Sequence, residues 1–217
     1  GEYWHSNVDV LLNYINNTKN VMSLFDVPLH FNFYEASRSN GDFDMRNIFK
    51  GTLVERNSTK AVTFVNNHDT QIGSSLQSWV EPWFKPIAYS LILLRIEGYP
   101  CVFYGDYYGI PSSAYYGIGK CLDILLKIRK NLSYGEQHDY FNDKNLIGWT
   151  REGIDEVENS GLAVLLTNRL GGEKKMYIGK QFSGKNFKDL LSNFQEKVVI
   201  DEEGFGNFMV KNGSVSV

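Results

Sequence analysis

Short apolar runs along the chain end abruptly in polar residues and alternate with longer apolar segments bounded by Pro, Asp and Gly. The clearest run is Ala61 to Thr70, AVTFVNNHDT, an apolar and β-branched stretch that stops at Asn67, His68 and Asp69. Such a run suits a parallel strand buried on both faces, and a buried strand cannot cheaply bury an unpaired carboxylate as well. Asp69 is therefore expected to emerge at the strand's C-terminal end. Two readings of that end stay open: an ordinary polar turn, for which Asn and Asp are common residues, or the mouth of a (β/α)₈ barrel, where active-site residues collect.

The neighbouring pattern bears on that choice. Trp79 to Gly98 carries an apolar run with early Pro82 and Pro86 and a terminal Gly98, which predicts a buried helix. Tyr99 to Tyr104 predicts a second buried strand that again ends polar, in Gly105 and Asp106, and a helix is expected from about Tyr116 to Asn131. Upstream, Val21 to His30 reads as a strand and Phe43 to Lys50 as a helix capped by Asp42 or Asp44 and stopped by Gly51. Strands alternating with helices predict a parallel sheet with right-handed crossovers.

Beyond Gly135 the texture changes. Leu146 to Arg151, Leu162 to Asn168, Lys175 to Gly179, Lys197 to Ile200, Gly206 to Lys211 and Ser214 to Val217 are short strand-like runs separated by Gly, Asn and Asp. They predict an antiparallel Greek-key β-sandwich. The expected organisation is thus an α/β part over residues 1–135 and an all-β part over residues 136–217. A complete barrel needs about 250 residues, so the α/β part has room for only half of one. The opening Gly1-Glu2-Tyr3-Trp4, with no initiator Met and no preceding strand, reads as a truncation.

Composition narrows the function class. The chain is 42% apolar and 22% charged with a net charge of -3, and it has no basic stripe, so nucleic acid is not an expected partner. No stretch approaches the ~20 apolar residues of a membrane span. Cys101 and Cys121 fall in a predicted strand and helix and read as free core thiols. The acidic run Asp201, Glu202 and Glu203 reads as a solvated turn, and His5, His30 and His138 carry no motif.

FVNNHD at Phe64 to Asp69 and GYPCVFYGD at Gly98 to Asp106 resemble the strand-seven and strand-eight signatures of family 13 glycoside hydrolases, the α-amylase family. Glu2-Tyr3-Trp4 resembles the end of strand five. FDVPLH, DMRNIFKGT, GWTREG and NGSVSV extend the resemblance over essentially the whole chain. Within the family it points to the calcium-dependent bacterial liquefying α-amylases and their cytoplasmic relatives, so the compartment is left unassigned.

The resemblance implies barrel strands five to eight followed by domain C, and the hydrolysis of starch or glycogen. Glu2 would be the general acid/base and Asp69 the transition-state stabiliser. His68 and Asn67 would contact the same sugar. Trp4 would either stack on the next glucose or serve as a core aromatic. The nucleophile expected at the end of strand four, in a G-x-R-x-D-x-A setting, has no counterpart here. The main calcium ligands of the full-length family are likewise absent from this chain.

A second, interdomain Ca²⁺ site would use carbonyls of Gly41, Phe43 and Lys144 and the side chains of Asn145 and Asn168. The last two positions are usually Asp, so this site is expected to be empty or very weak. Alone, the chain is expected to be inactive and to need the missing N-terminal half of the barrel or a self-association in its place. The competing readings are a non-catalytic glucan-binding fragment and another family 13 activity such as transglycosylation.

Overall fold

A computed structural model describes all residues from Gly1 to Val217. The first helix, α1 (Val8–Asn17), is one the sequence reading omitted. It starts where the Asn7 side chain accepts from the Asp9 amide at 2.8 Å, and Val8, Leu11 and Ile15 form its buried stripe.

The strand expected over Val21 to His30 shrinks to β1 (Leu24–Phe25), because Asp26 turns the chain into α2 (Val27–Arg38). The Asp26 carboxylate accepts from the Leu29 amide at 3.2 Å, and from Leu53 and Val54 at 3.0 and 2.7 Å. One buried side chain thus caps both α2 and α3 (Leu53–Arg56). The helix expected over Phe43 to Lys50 is reduced to a 3₁₀ turn, Met45–Asn47, capped by Asp44.

β2 (Ala61–Phe64) lies between β1 and β3 (Tyr99–Cys101), all parallel, with Leu24 opposite Ala61 and Phe64 opposite Cys101. Between β2 and β3 runs α4 (Lys85–Leu93), much shorter than Trp79 to Gly98. Pro82 and Pro86 confine the helix start, and the chain leaves it before Gly98, whose φ of +81° is left-handed. A Cβ there would meet the Thr63 side chain at 2.8 Å, so this crossover needs glycine. The expected strand Tyr99 to Tyr104 also ends early, and α5 (Tyr104–Tyr108) takes its last residue. α6 (Gly119–Asn131) follows.

Gly1 extends the sheet on the far side of β1, since its ammonium donates to the Ser23 carbonyl at 2.7 Å and its carbonyl accepts from the Phe25 amide at 3.2 Å. The backbone just before Glu2 is therefore held like one more neighbouring strand.

The C-terminal strands are antiparallel. β4 (Gln137–Tyr140), β5 (Leu146–Arg151), β6 (Leu162–Thr167) and β11 (Val215–Ser216) form one sheet in the order β11-β6-β5-β4. β7 (Gly172–Tyr177) pairs with β10 (Phe205–Val210), and β8 (Asn186–Phe187) pairs with β9 (Val198–Val199).

β6 is buried along its whole length. Ala163 and Leu165 face a small core with Met176, Ile178, Phe208 and Val210, while Leu162, Val164 and Leu166 face the large core that also holds α1, α4 and α6. This two-sided burial explains why the run LAVLL shows no polar alternation. The large core is continuous across Gly135. Arg95, beyond α4, reaches Asp139 of β4 through two bonds of 2.6 and 2.9 Å and lies 5.5 Å from the centre of the Trp149 ring.

Candidate functional site

The polar end of β2 is held from below by two buried groups. His30, on α2, places Nδ1 2.7 Å from the Val65 carbonyl and Nε2 2.8 Å from the Ser78 hydroxyl. A carbonyl only accepts, so Nδ1 carries a proton, while the Ser78 hydroxyl beside Nε2 also stands 2.9 Å from the Leu76 carbonyl. The ring stacks on Phe64 at 5.1 Å. Asn66 turns inward: its carbonyl accepts from the Val80 amide at 3.2 Å and its amide donates to Asp106 at 3.2 Å. Asp106 also accepts from Lys85 Nζ at 2.5 Å and from the Tyr89 hydroxyl at 2.8 Å. Lys85 and Asp106 are both wholly buried, and the ammonium lies 3.2 and 3.9 Å from the ring centres of Trp79 and Tyr115. Burial draws the Lys85 ammonium down to about 8 against the pull of Asp106, and drives the Tyr89 phenol well up.

Above this floor the next three residues turn outward. Asn67 fixes the turn, its side-chain oxygen accepting from the amides of Asp69 and Thr70 at 3.0 Å each. Asp69 is partly exposed and His68 largely so, with His68 Nε2 3.6 Å from the Asp69 carboxylate. Glu2 is exposed, and its carboxylate lies 3.5 Å from the Asn67 amide nitrogen, a contact spanning 65 residues of sequence. Glu2, Asn67, His68 and Asp69 therefore meet at the same end of the parallel sheet. Trp4 lies beside them, packed 5.7, 5.9 and 6.3 Å from the rings of His30, Phe31 and Phe64.

The expected interdomain metal residues also meet, but as hydrogen-bond partners. The Asn145 amide donates to the Gly41 carbonyl at 2.6 Å and to the Asn168 side-chain oxygen at 2.7 Å, and the Asn168 amide donates to the Phe43 carbonyl at 2.9 Å. The Lys144 carbonyl accepts from the Met45 amide at 2.7 Å. Calcium requires six to eight inward oxygens at ~2.3–2.6 Å, whereas N–H donors face these carbonyls, so the residues do not fit the ion. Elsewhere Glu136, His138 and Glu152 bring their polar atoms within 4.8 Å of one another. The 2.5 Å contact between His138 and Glu152 accounts for that grouping.

Sequence reasoning missed His30, Asn66, Lys85 and Asp106 as a unit. The available signal was a lysine inside an otherwise apolar segment, WFKPIAYSLILL, and a second strand ending in Asp.

His30 makes the site's floor sensitive to acid. Burial lowers its pKa from 6.5 to about 4, so its stabilisation is complete above 6.5 and is lost as pH falls toward 4, by about 3 kcal/mol. Asp26 acts oppositely. Burial outweighs its three amide donors and raises it from 3.8 to about 6, so its contribution is complete below 3.8 and is lost as pH rises through about 6. The two largely cancel between those limits. A His30→Gln variant is expected to lose less stability than wild type, or to gain it, on acidification from pH 6.5 to pH 4, read from urea midpoints. Equal pH slopes for variant and wild type would contradict the assignment.

Known proteins resemble the chain over its whole length. The family described as the α-amylase C-terminal matches residues 162–217. The chain is 55% identical over 217 residues to an α-amylase of Geobacillus stearothermophilus and 49% identical over 219 aligned positions to one of Bacillus licheniformis, covering all of this chain each time. The structure of an α-amylase from Geobacillus thermoleovorans complexed with acarbose superimposes with a TM-score of 0.65 at 16% identity, over 100% of this chain and 51% of that one.

Over its whole length the chain is similar to α-amylases, glycoside hydrolases of family 13. More particularly, it corresponds to the C-terminal part of the bacterial α-amylases, spanning 40% of the first relative's length and 43% of the second's.

Proposed function

We propose that this chain is the C-terminal portion of a retaining, endo-acting α-1,4-glucan hydrolase. In this reading residues 1–135 form the second half of a (β/α)₈ barrel and residues 136–217 a Greek-key domain C. The observation that carries it is the meeting of Glu2 with the Asn67–Asp69 turn at the same end of two parallel segments that flank β1. Active sites of such barrels gather at the C-terminal ends of several strands. Two solvent-accessible carboxylates stand there, each left able to face a ligand: an acid for the glycosidic oxygen and a stabiliser for the sugar, to which double displacement adds a nucleophile.

Glu2 is the general acid that protonates the glycosidic oxygen and the base that later takes a proton from water. Asp69 accepts hydrogen bonds from sugar hydroxyls that strengthen as the ring gains oxocarbenium character. His68, beside Asp69, donates to the same sugar, and Asn67 sets the turn that presents both. Trp4 backs the site from its aromatic cluster and offers its free edge to the leaving-group glucose.

A nucleophile must stand some ~5 Å from the acid for double displacement. Two nearby carboxylates of this chain are unavailable for that role. Asp26 is buried as a double helix cap, and Asp106 is buried against Lys85. By the resemblance to family 13 the attacking carboxylate would stand at the end of barrel strand four, in a G-x-R-x-D-x-A setting that residues 1–217 do not contain, and would be supplied by the other half of the barrel across the open edges at Gly1 and β3. On this reading the chain alone hydrolyses no starch.

Mixing it with a segment carrying barrel strands one to four tests the proposal. Hydrolysis of starch that appears only on mixing supports it. Hydrolysis by this chain alone would overturn it. So would an inactive pair in which this chain by itself binds starch, the result expected of a non-catalytic glucan-binding module.

A further inference from the structure

The junction between the α/β part and the antiparallel module is closed by two asparagine side chains. Gly41 and Phe43 lie in the loop after α2, Asn145 lies between β4 and β5, and Asn168 follows β6. Asn168 is only 4% exposed. The loop is pressed hard against the module: Gly41 has φ +85°, and a Cβ on it would come within 3.1 Å of the Asn168 carbonyl. Two backbone carbonyls from one module and two side chains from the other thus converge at a partly buried junction.

Carbonyl oxygens forced together repel unless something positive lies between them. That can be a cation or an N–H. Here the Asn145 amide forks, one hydrogen to Gly41 and one to Asn168, and the Asn168 amide continues the chain to Phe43. The orientation of both amides is fixed by this chain, since flipping either would set oxygen against oxygen. No formal charge is present among the four groups.

We propose that this amide pair replaces a divalent cation at the junction, giving an uncharged clasp whose strength does not depend on Ca²⁺ or chelators. Binding calcium would require turning both amides over and breaking three hydrogen bonds, with no carboxylate to compensate the ion's charge. The inference concerns the junction and is independent of whether the barrel end cleaves glucan.

Thermal unfolding of the 217-residue chain in EDTA and in millimolar calcium tests it, together with terbium luminescence as a direct probe of the site. For wild type, the midpoint should be the same in both conditions and no saturable terbium signal should appear. Asn168→Ala should lower the midpoint equally in both.

In the double variant Asn145→Asp with Asn168→Asp, two carboxylates face the same carbonyls. Its midpoint should drop in EDTA and recover by about 5–10 °C at a hundredfold excess of calcium over Kd. A calcium-dependent rise in the wild-type midpoint that Asn168→Ala abolishes would overturn the proposal. An Asn168→Ala variant as stable as wild type would do so too. If the double variant fails to fold, the wild-type and Asn168→Ala results decide alone.

Discussion

Replacing Asp106 with Asn is expected to cost about 3–5 kcal/mol of folding stability, the usual price of leaving one partner of a buried ion pair behind. Asp106 and Lys85 are wholly buried and 2.5 Å apart, and Asp106 also receives the Tyr89 hydroxyl and the Asn66 amide. An Asn at 106 removes the counter-charge and places N–H donors against groups that already donate. Lys85 would have to release its proton or remain charged between Trp79 and Tyr115, whose ring faces offset only part of the loss.

The contrasting variant is the pair Lys85→Met with Asp106→Leu. It removes both charges and should recover much of the stability, because well-packed apolar replacements of buried pairs are often neutral. Urea unfolding at neutral pH distinguishes the two. If Asp106→Asn unfolds at the wild-type midpoint, the pair does not hold this part of the fold together. The effect should reach the site as well, since Asn66 would lose its acceptor just before the Asn67–Asp69 turn.

The second large effect concerns chemistry rather than stability. In the complemented enzyme, Glu2→Gln is expected to reduce kcat on starch by about 10²–10⁴, the range a positioned general acid/base supplies. Glu2 is exposed and makes one long contact, 3.5 Å to Asn67, so the substitution should leave the unfolding midpoint unchanged. Measured as kcat/KM, the loss should shrink for glucosides whose leaving group departs without protonation, because the first bond cleavage then needs no acid, whereas kcat stays low because Glu2 also serves as the base of the second step. A uniform loss across leaving groups, or a matching loss of stability, would argue against an acid role.

The parts of this arrangement that sequence made legible are those encoded locally. The run Ala61 to Thr70 declares itself through continuous apolar residues and an abrupt polar end, and β2 lies where that run predicts. β6 and β5 were equally plain. What escaped is what tertiary contacts decide. Val21 to His30 is apolar enough for a strand, but Asp26 is drawn inward by amides from α3 that lie 27 and 28 residues away, and the chain turns into a helix. α1 was hidden among asparagines that signal turns.

The site divides in the same way. Asn67, His68 and Asp69 stand together in sequence, whereas Glu2 joins them only because Gly1 aligns beside β1. Lys85 and Asp106 lie 21 residues apart and become a pair only in the folded core. Asn145 and Asn168 are ordinary residues in sequence, and their donor role is visible only once the Gly41 and Phe43 carbonyls face them.

The most direct test of the account is the initial rate of starch hydrolysis by this chain mixed with a segment that supplies a strand-four carboxylate. Wild type is compared with Glu2→Gln and Asp69→Asn in the same assay. The account predicts activity from the wild-type pair, none from either half alone, and a loss of at least about 10²-fold with each variant. Full activity from a pair carrying Glu2→Gln would contradict it.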